Sequence, residues 1–224
     1  MDEWYRKEVT EKSYKELINL TKWLNNIYGY YPVIIGGWAV FHYAKSLGSR
    51  DIDIIFPTAK DRENILMTYY KENGYKEEGL FVKQYFKEVE TKEGIEKIIL
   101  DACTHSNINY LHENTNITIP WNLTDKYYKE WDIEKGVVSR VPKIELLMIY
   151  KIKALCDRRY DIQKPSVEGL DRDYINSKIW KDEHDIKELS KYEINVNLFN
   201  KLLEETKFYN HAQREIERLD IKFH

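Results

Sequence analysis

An α+β fold, a mixed β-sheet flanked by helices and followed by a C-terminal helical region, is predicted by three observations. Short apolar runs bounded by glycine, proline and aspartate alternate with helical patterns up to about residue 141. A glycine pair, Gly36-Gly37, links the first of these runs to a helical stretch, and the next run carries Asp51 and Asp53 two residues apart. After Pro142 the apolar residues recur only at helical spacing. The chain therefore divides into residues 1–141, a mixed α/β domain that opens with a helix, and residues 142–224, a helical domain.

Each element has its own signal. Leu17, Ile18, Leu20, Leu24 and Ile27 fall at helical spacing, so an amphipathic helix is expected over 13–28, ended by Gly29. Pro32 leads into a strand over 33–35. A helix over 38–45 packs Ala39, Val40 and Tyr43 and stops before Gly48. A second strand is expected over 50–56. Thr58 can cap a helix over 59–73 that ends at Gly74. Strands over 79–86 and 95–102 follow, with Lys92-Glu93-Gly94 as the turn between them. Residues 104–136 are rich in asparagine, and Trp121 and Trp131 fit neither period; one short helix is expected near 125–130. A last strand covers 136–141. Pro142 then sits at the favoured first turn of a helix over 143–160, whose Ile144, Leu147, Met148, Ile152 and Leu155 share a face. Helices over 178–190, 196–206 and 210–219 complete the chain.

Composition narrows the class. With 42% hydrophobic and 14% aromatic residues the chain can build a core and is not disordered. A net charge of −3 gives no global signature of nucleic-acid binding. No apolar run is long enough to span a membrane, and the charged N-terminus lacks an apolar signal core, so a cytoplasmic protein without a membrane partner is expected. Cys103 and Cys156 then read as reduced thiols.

The chemistry concentrates in the glycine pair and the aspartates. Side chains alternate along a strand, so Asp51 and Asp53 point to one face and Ile52 and Ile54 to the other. Adjacent carboxylates raise each other's pKa unless a cation lies between them, which suits a hard divalent metal. Bare backbone N–H groups at a helix N-terminus suit phosphate, and Gly36-Gly37 offers them. Asp101 ends the apolar run Ile98-Ile99-Leu100, and if that strand neighbours Asp51 and Asp53 three carboxylates converge. Such a set can hold two Mg²⁺ ions about 3.5–4 Å apart, and Asp101 could also take the proton of an attacking hydroxyl.

Gly36-Gly37-Trp38-Ala39 followed by Arg50-Asp51-Ile52-Asp53-Ile54 resembles the signature of the DNA polymerase beta-like nucleotidyltransferase superfamily. The Gly-Gly-Trp-Ala form is similar to that of antibiotic nucleotidyltransferases of the lincosamide and aminoglycoside types. The stretch Lys153 to Arg159, with Lys181-Asp182-Glu183-His184-Asp185, resembles the helical motifs of AbiEii-type nucleotidyltransferases, many of them toxins of toxin–antitoxin pairs. The resemblance implies the nucleotidyltransferase fold, with 1–141 as the catalytic domain. It also implies transfer of a nucleoside monophosphate from an NTP to an acceptor hydroxyl, on an RNA 3′ end or a small molecule, with Mg²⁺ as cofactor. An antitoxin protein would be a partner. Carried over residue by residue, Asp51, Asp53 and Asp101 are the catalytic metal ligands, and Gly36 and Gly37 face the triphosphate. Lys153 and Lys181 neutralise phosphate charge, while Asp182 or Asp185 orients a lysine or a ribose hydroxyl. Many relatives carry serine where this chain has Gly37, so that phosphate contact would fall to backbone, Ser49 or Arg50. The helical half would supply the second wall of the cleft. Structural alternatives stand beside these roles: a tight turn at the glycine pair, and helix-face ion pairs for the charged residues of the second half. A non-catalytic nucleotide-binding or interaction module on the same fold is the competing function.

Overall fold

The computed structural model describes residues 7–79, 83–166 and 169–223. Its first strand, β1 (Val33–Ile34), is short, yet it joins the two halves of a seven-stranded mixed sheet. β1 pairs antiparallel with β2 (Ile52–Phe56) and parallel with β9 (Val137–Pro142). β2 pairs parallel with β5 (Gly94–Thr104), which continues antiparallel into β4 (Gln84–Thr91) and β3 (Lys76–Glu78). β8 (Tyr128–Glu134) closes the other edge against β9. The strand order is thus β3-β4-β5-β2-β1-β9-β8. Ile34, Ile52, Ile54, Phe56 and Leu100 are all but inaccessible to solvent, as expected for central strands.

Three helices belong to this sheet unit, which holds the described residues up to Asn107 together with Thr124–Pro142. α1 (Lys7–Tyr28) buries Leu17, Leu20 and Leu24. Its Glu16 is 5% exposed and accepts hydrogen bonds from the Tyr69 and Tyr75 phenols and from Lys87 Nζ, so this buried charge is matched. α2 (Gly36–Ala44) follows β1 directly, and α3 (Ala59–Glu72) starts at Thr58, whose Oγ1 accepts from Asp61 N at 3.1 Å.

The second unit comprises Ile108–Leu123 and the residues from Lys143 onward. α4 (Ile144–Asp161) is its axis: Leu146, Leu147, Ile149, Ile152 and Leu155 are fully buried. α5 (Gly169–Leu189), α6 (Val196–Glu205) and α7 (Tyr209–Arg218) supply Ile186, Leu202 and Ala212, which are equally buried. A small hairpin, β6 (Tyr110–Leu111) with β7 (Asn114–Thr118), completes the unit. A 3₁₀ turn (Trp121–Asp125) follows it. No helix among the described residues is long and apolar enough to cross a membrane.

The α+β class, with its mixed sheet, flanking helices and helical C-terminal region, is as predicted, but several elements differ. The opening helix starts earlier, at Lys7. The helix expected near 125–130 is instead the end of the 3₁₀ turn and the start of β8. Pairing with β9 overrides local pattern there, and Trp131 is buried opposite Ser139. Of the strand expected over 79–86, only 84–86 lie in a strand, the start of β4, and residues 80–82 are outside the described residues; the edge strand β3 was not expected. Pro142 ends β9 rather than entering α4, whose N-cap is Lys143. The helix expected from residue 178 begins at Gly169.

Candidate active site

Register alone sets the central pair. In the parallel ladder of β2 and β5, Asp53 lies opposite Asp101, Ile52 opposite Leu100 and Ile54 opposite Ala102. Registered residues share a face and neighbouring strands lie about 4.8 Å apart, so the two carboxylates stand side by side. Asp53 is half-buried and Asp101 exposed, while Ile52 and Leu100 point into the core on the other face. Asp51 lies one residue before β2, at a bend, and is half-buried; strand alternation therefore governs Asp53 but starts after Asp51.

The glycine pair is not a turn that precedes the helix but its first two residues. Gly36 has φ +65° and a Cβ there would fall 2.9 Å from Asp53 Cγ, inside contact distance, so only glycine fits. Ile35, the residue before the helix, donates its N–H to Asp53 O at 3.0 Å and provides no side-chain cap. The first turn of α2 thus lies against the Asp53 side chain. Gly37 is buried as the second residue of α2.

The surroundings are polar and charged. Arg62, on the first turn of α3, donates Nη1 to Ala102 O at 3.3 Å; burial raises the pKa of both Cys103 and Tyr70, and the Arg62 charge only partly opposes that rise. The Cys103 thiol donates to Ile54 O at 3.7 Å. Burial first, then the Asp53 charge and more weakly the Asp101 charge, pushes that thiol up to about 12, so both carboxylates act on the same spot. Ser49 is buried and its Oγ accepts from Asp51 N at 3.2 Å. Arg50 reaches β5, donating Nε to Lys97 O at 2.9 Å and pairing with Glu96 at 3.6 Å. The donor set offered is hard carboxylate oxygen. Among the described residues no three His, Cys, Asp or Glu side chains stand close enough together to hold a metal ion.

The site residues from the second half lie in the helical unit, inside a buried ionic network between α4 and α5. Lys151 Nζ meets Asp182 Oδ1 at 3.2 Å and Asp185 Oδ2 at 2.7 Å. Lys181 Nζ also meets Asp185 Oδ2 at 2.7 Å, and Arg158 pairs with Asp182. Lys153 pairs with Asp157 one turn on, at 2.6 Å. Burial pushes the Lys181 ammonium down to about 8 despite the pull of Asp185 in the other direction. The Lys151 and Lys181 ammoniums hold the Asp185 carboxyl below its usual range against the effect of burial. Sequence reasoning allowed helix-face ion pairs among these charges, as Lys153–Asp157 and Lys181–Asp185 are, but not the pairing between α4 and α5, nor Lys151 as its centre. It also missed Arg62, which sits in a charged helix turn where nothing marks it until the β2–β5 register is known.

No family model matches this chain, and no curated protein matches it in sequence. Among solved structures, the antibiotic-resistance factor ANT(2″)-Ia, known from a solution structure, is similar over 92% of this chain and 99% of its own. The identity is 13% and the TM-score 0.40, a likeness too distant to carry an argument, so the site rests on its own geometry.

Proposed function

We propose that this chain is a Mg²⁺-dependent nucleotidyltransferase that moves a nucleoside monophosphate from an NTP to an acceptor hydroxyl. One observation carries the proposal: Asp53 and Asp101 stand side by side in register, with the Asp53 carboxylate against Gly36 at the N-terminus of α2. That places hard oxygen donors beside backbone N–H groups, the two things a triphosphate and its metal need. The donor set fits Mg²⁺, which takes few protein carboxylates and completes its shell from water and phosphate; Asp53 and Asp101 would hold it. When bound, Mg²⁺ would neutralise charge on the phosphates and lower the barrier to in-line attack.

The chain's own groups have separable tasks. The N-terminus of α2 holds phosphate oxygens through N–H groups fixed by the helix. Asp101, the more exposed carboxylate, accepts the proton of the acceptor hydroxyl as its oxygen bonds to the α-phosphorus and the bond to pyrophosphate breaks. Gly36 keeps Asp53 in place by leaving room for it. Catalysis by such a site is positioning and electrostatics.

Incubation with Mg²⁺, each labelled NTP in turn, and either total RNA or a panel of hydroxylated small molecules should yield a labelled acceptor. The Asp51→Ala, Asp53→Ala double variant should lose transfer while keeping its fold by circular dichroism. Transfer retained in that variant would sink the site assignment. NTP binding without transfer to any acceptor would favour a non-catalytic nucleotide-binding module.

A further inference from the structure

Arg140, on β9, is a charged side chain whose partners within the sheet unit do not use all of its capacity. Its guanidinium lies 4.5 Å from the centroid of the Tyr128 ring, while its Nε is buried and has no hydrogen-bond partner. Among the described residues no carboxylate forms an ion pair with it. Glu130 is its registered neighbour on β8, but that side chain is exposed and lies outside ion-pair distance.

The ladder relates this arginine to the carboxylates. Arg140 is registered with Val33, Val33 with Ile55, and Ile55 with Cys103, two residues beyond the Asp53–Asp101 pair. Registered residues share a face, and Asp53 and Ile55 are two apart, so Arg140 projects from the same face as Asp53 and Asp101. Two strand spacings and a two-residue rise separate the Cα atoms of Asp53 and Arg140 by about 12 Å. A nucleotide or the end of an oligonucleotide spans such a distance.

We propose that Arg140, whose guanidinium lies over the Tyr128 ring, is a phosphate-binding residue on the sheet face that carries Asp53 and Asp101. The ring contact holds the guanidinium in place, and its terminal N–H groups can grip an oxyanion with two parallel hydrogen bonds. A buried Nε without a partner is the sign of such an unmet donor. The choice of phosphate over another oxyanion rests on the nucleotidyltransferase proposal. The phosphate has two possible sources, the triphosphate of the NTP and a phosphodiester of an RNA acceptor.

Equilibrium binding to the full chain separates these. Inorganic tripolyphosphate with Mg²⁺ is one probe and a short oligoribonucleotide with a free 3′ hydroxyl is the other. Arg140→Gln should weaken at least one probe by roughly tenfold or more, the loss of a charge-assisted contact. Arg140→Lys should recover only part of that loss, because an ammonium keeps the charge but not the fork. Tyr128→Leu should give a smaller loss on the same probe. Loss confined to tripolyphosphate assigns Arg140 to the triphosphate, and loss confined to the oligonucleotide assigns it to the acceptor. Equal affinity of wild type and Arg140→Gln for both probes overturns the proposal, as does wild type that binds neither. Should Arg140→Gln fail to fold, Arg140→Lys and Tyr128→Leu decide the matter in the same way. Because binding needs no turnover, Arg140-dependent binding in a protein that transfers nothing would uphold this site while the transferase proposal falls.

Discussion

The sheet unit and the helical unit use the same charged residues to opposite ends. Between α4 and α5, Asp182 and Asp185 are almost wholly buried, and Lys151, Lys181 and Arg158 surround them. On the sheet, Asp53 has another aspartate, Asp101, as its registered neighbour, and neither is fully buried. Matched opposite charges in a low-dielectric interior fix how two helices pack, and they become a liability only if one partner is removed. Like charges set side by side near solvent stabilise nothing by themselves. Their arrangement makes sense for a cation that arrives with a substrate.

That contrast can be broken by substitution. Asp101→Asn should reduce nucleotidyl transfer on the order of a thousandfold or more, equivalent to about 4 kcal/mol of barrier. Its urea midpoint should stay the same or rise, since one of two neighbouring like charges is gone. A large fall in stability would show Asp101 to be a structural partner instead. Asp185→Ala should do the reverse to the helical unit and remove about 3–5 kcal/mol of stability, because the buried Lys151 and Lys181 each lose a carboxylate partner. Chemical denaturation followed by helix content at 222 nm would measure it. Gly36→Ala belongs between the two classes. It should cost about 1–3 kcal/mol through its positive φ, and it should weaken NTP binding too, since the new methyl group would displace the Asp53 carboxylate.

The smallest effect concerns protons. Burial, and then Lys129 and Lys45, lowers the His42 pKa to about 4. The folded state therefore resists protonation of a group that the unfolded chain protonates near pH 6.5. The neutral imidazole's contribution is fully present above about pH 6.5 and is lost as the pH falls from there towards 4. His42→Phe should flatten part of the decline in urea midpoint across that window. In an NMR titration the His42 ring should change charge near pH 4, and a midpoint near 6.5 would contradict its environment.

The part of the sheet that forms the candidate site was legible in the sequence, and the reason is local. A glycine pair after an apolar run, followed by alternating aspartates and isoleucines, is a pattern that short-range sterics alone enforce. Asp101 could be found at its strand end, yet that it neighbours Asp53 and not Asp51 depends on a parallel register that no local signal encodes. Only the first residues of β8 fell within the helix expected near 125–130; the rest of the strand was not foreseen, because its register shifts between Asp132 and Glu134 and period two does not persist along it. The hairpin of β6 and β7 escaped because its strands are short and polar. Lys153, Lys181 and Asp182 were visible as charges, but whether such groups face solvent, substrate or each other is decided by helix packing. Arg140 and Tyr128 carried no signal at all, since their stacking joins two strands of which one was not foreseen.

The contact of Gly36 with Asp53 has a consequence for how these two positions can vary. They share one small volume, so in a saturation library over both sites they should behave as a single locus. Alanine at 36 should be better tolerated beside glycine at 53 than beside aspartate, although that pair would have given up the carboxylate. A protein that keeps the acid at 53 must therefore keep glycine at 36, and any engineered widening of the β1–α2 junction has to start elsewhere than at Gly36.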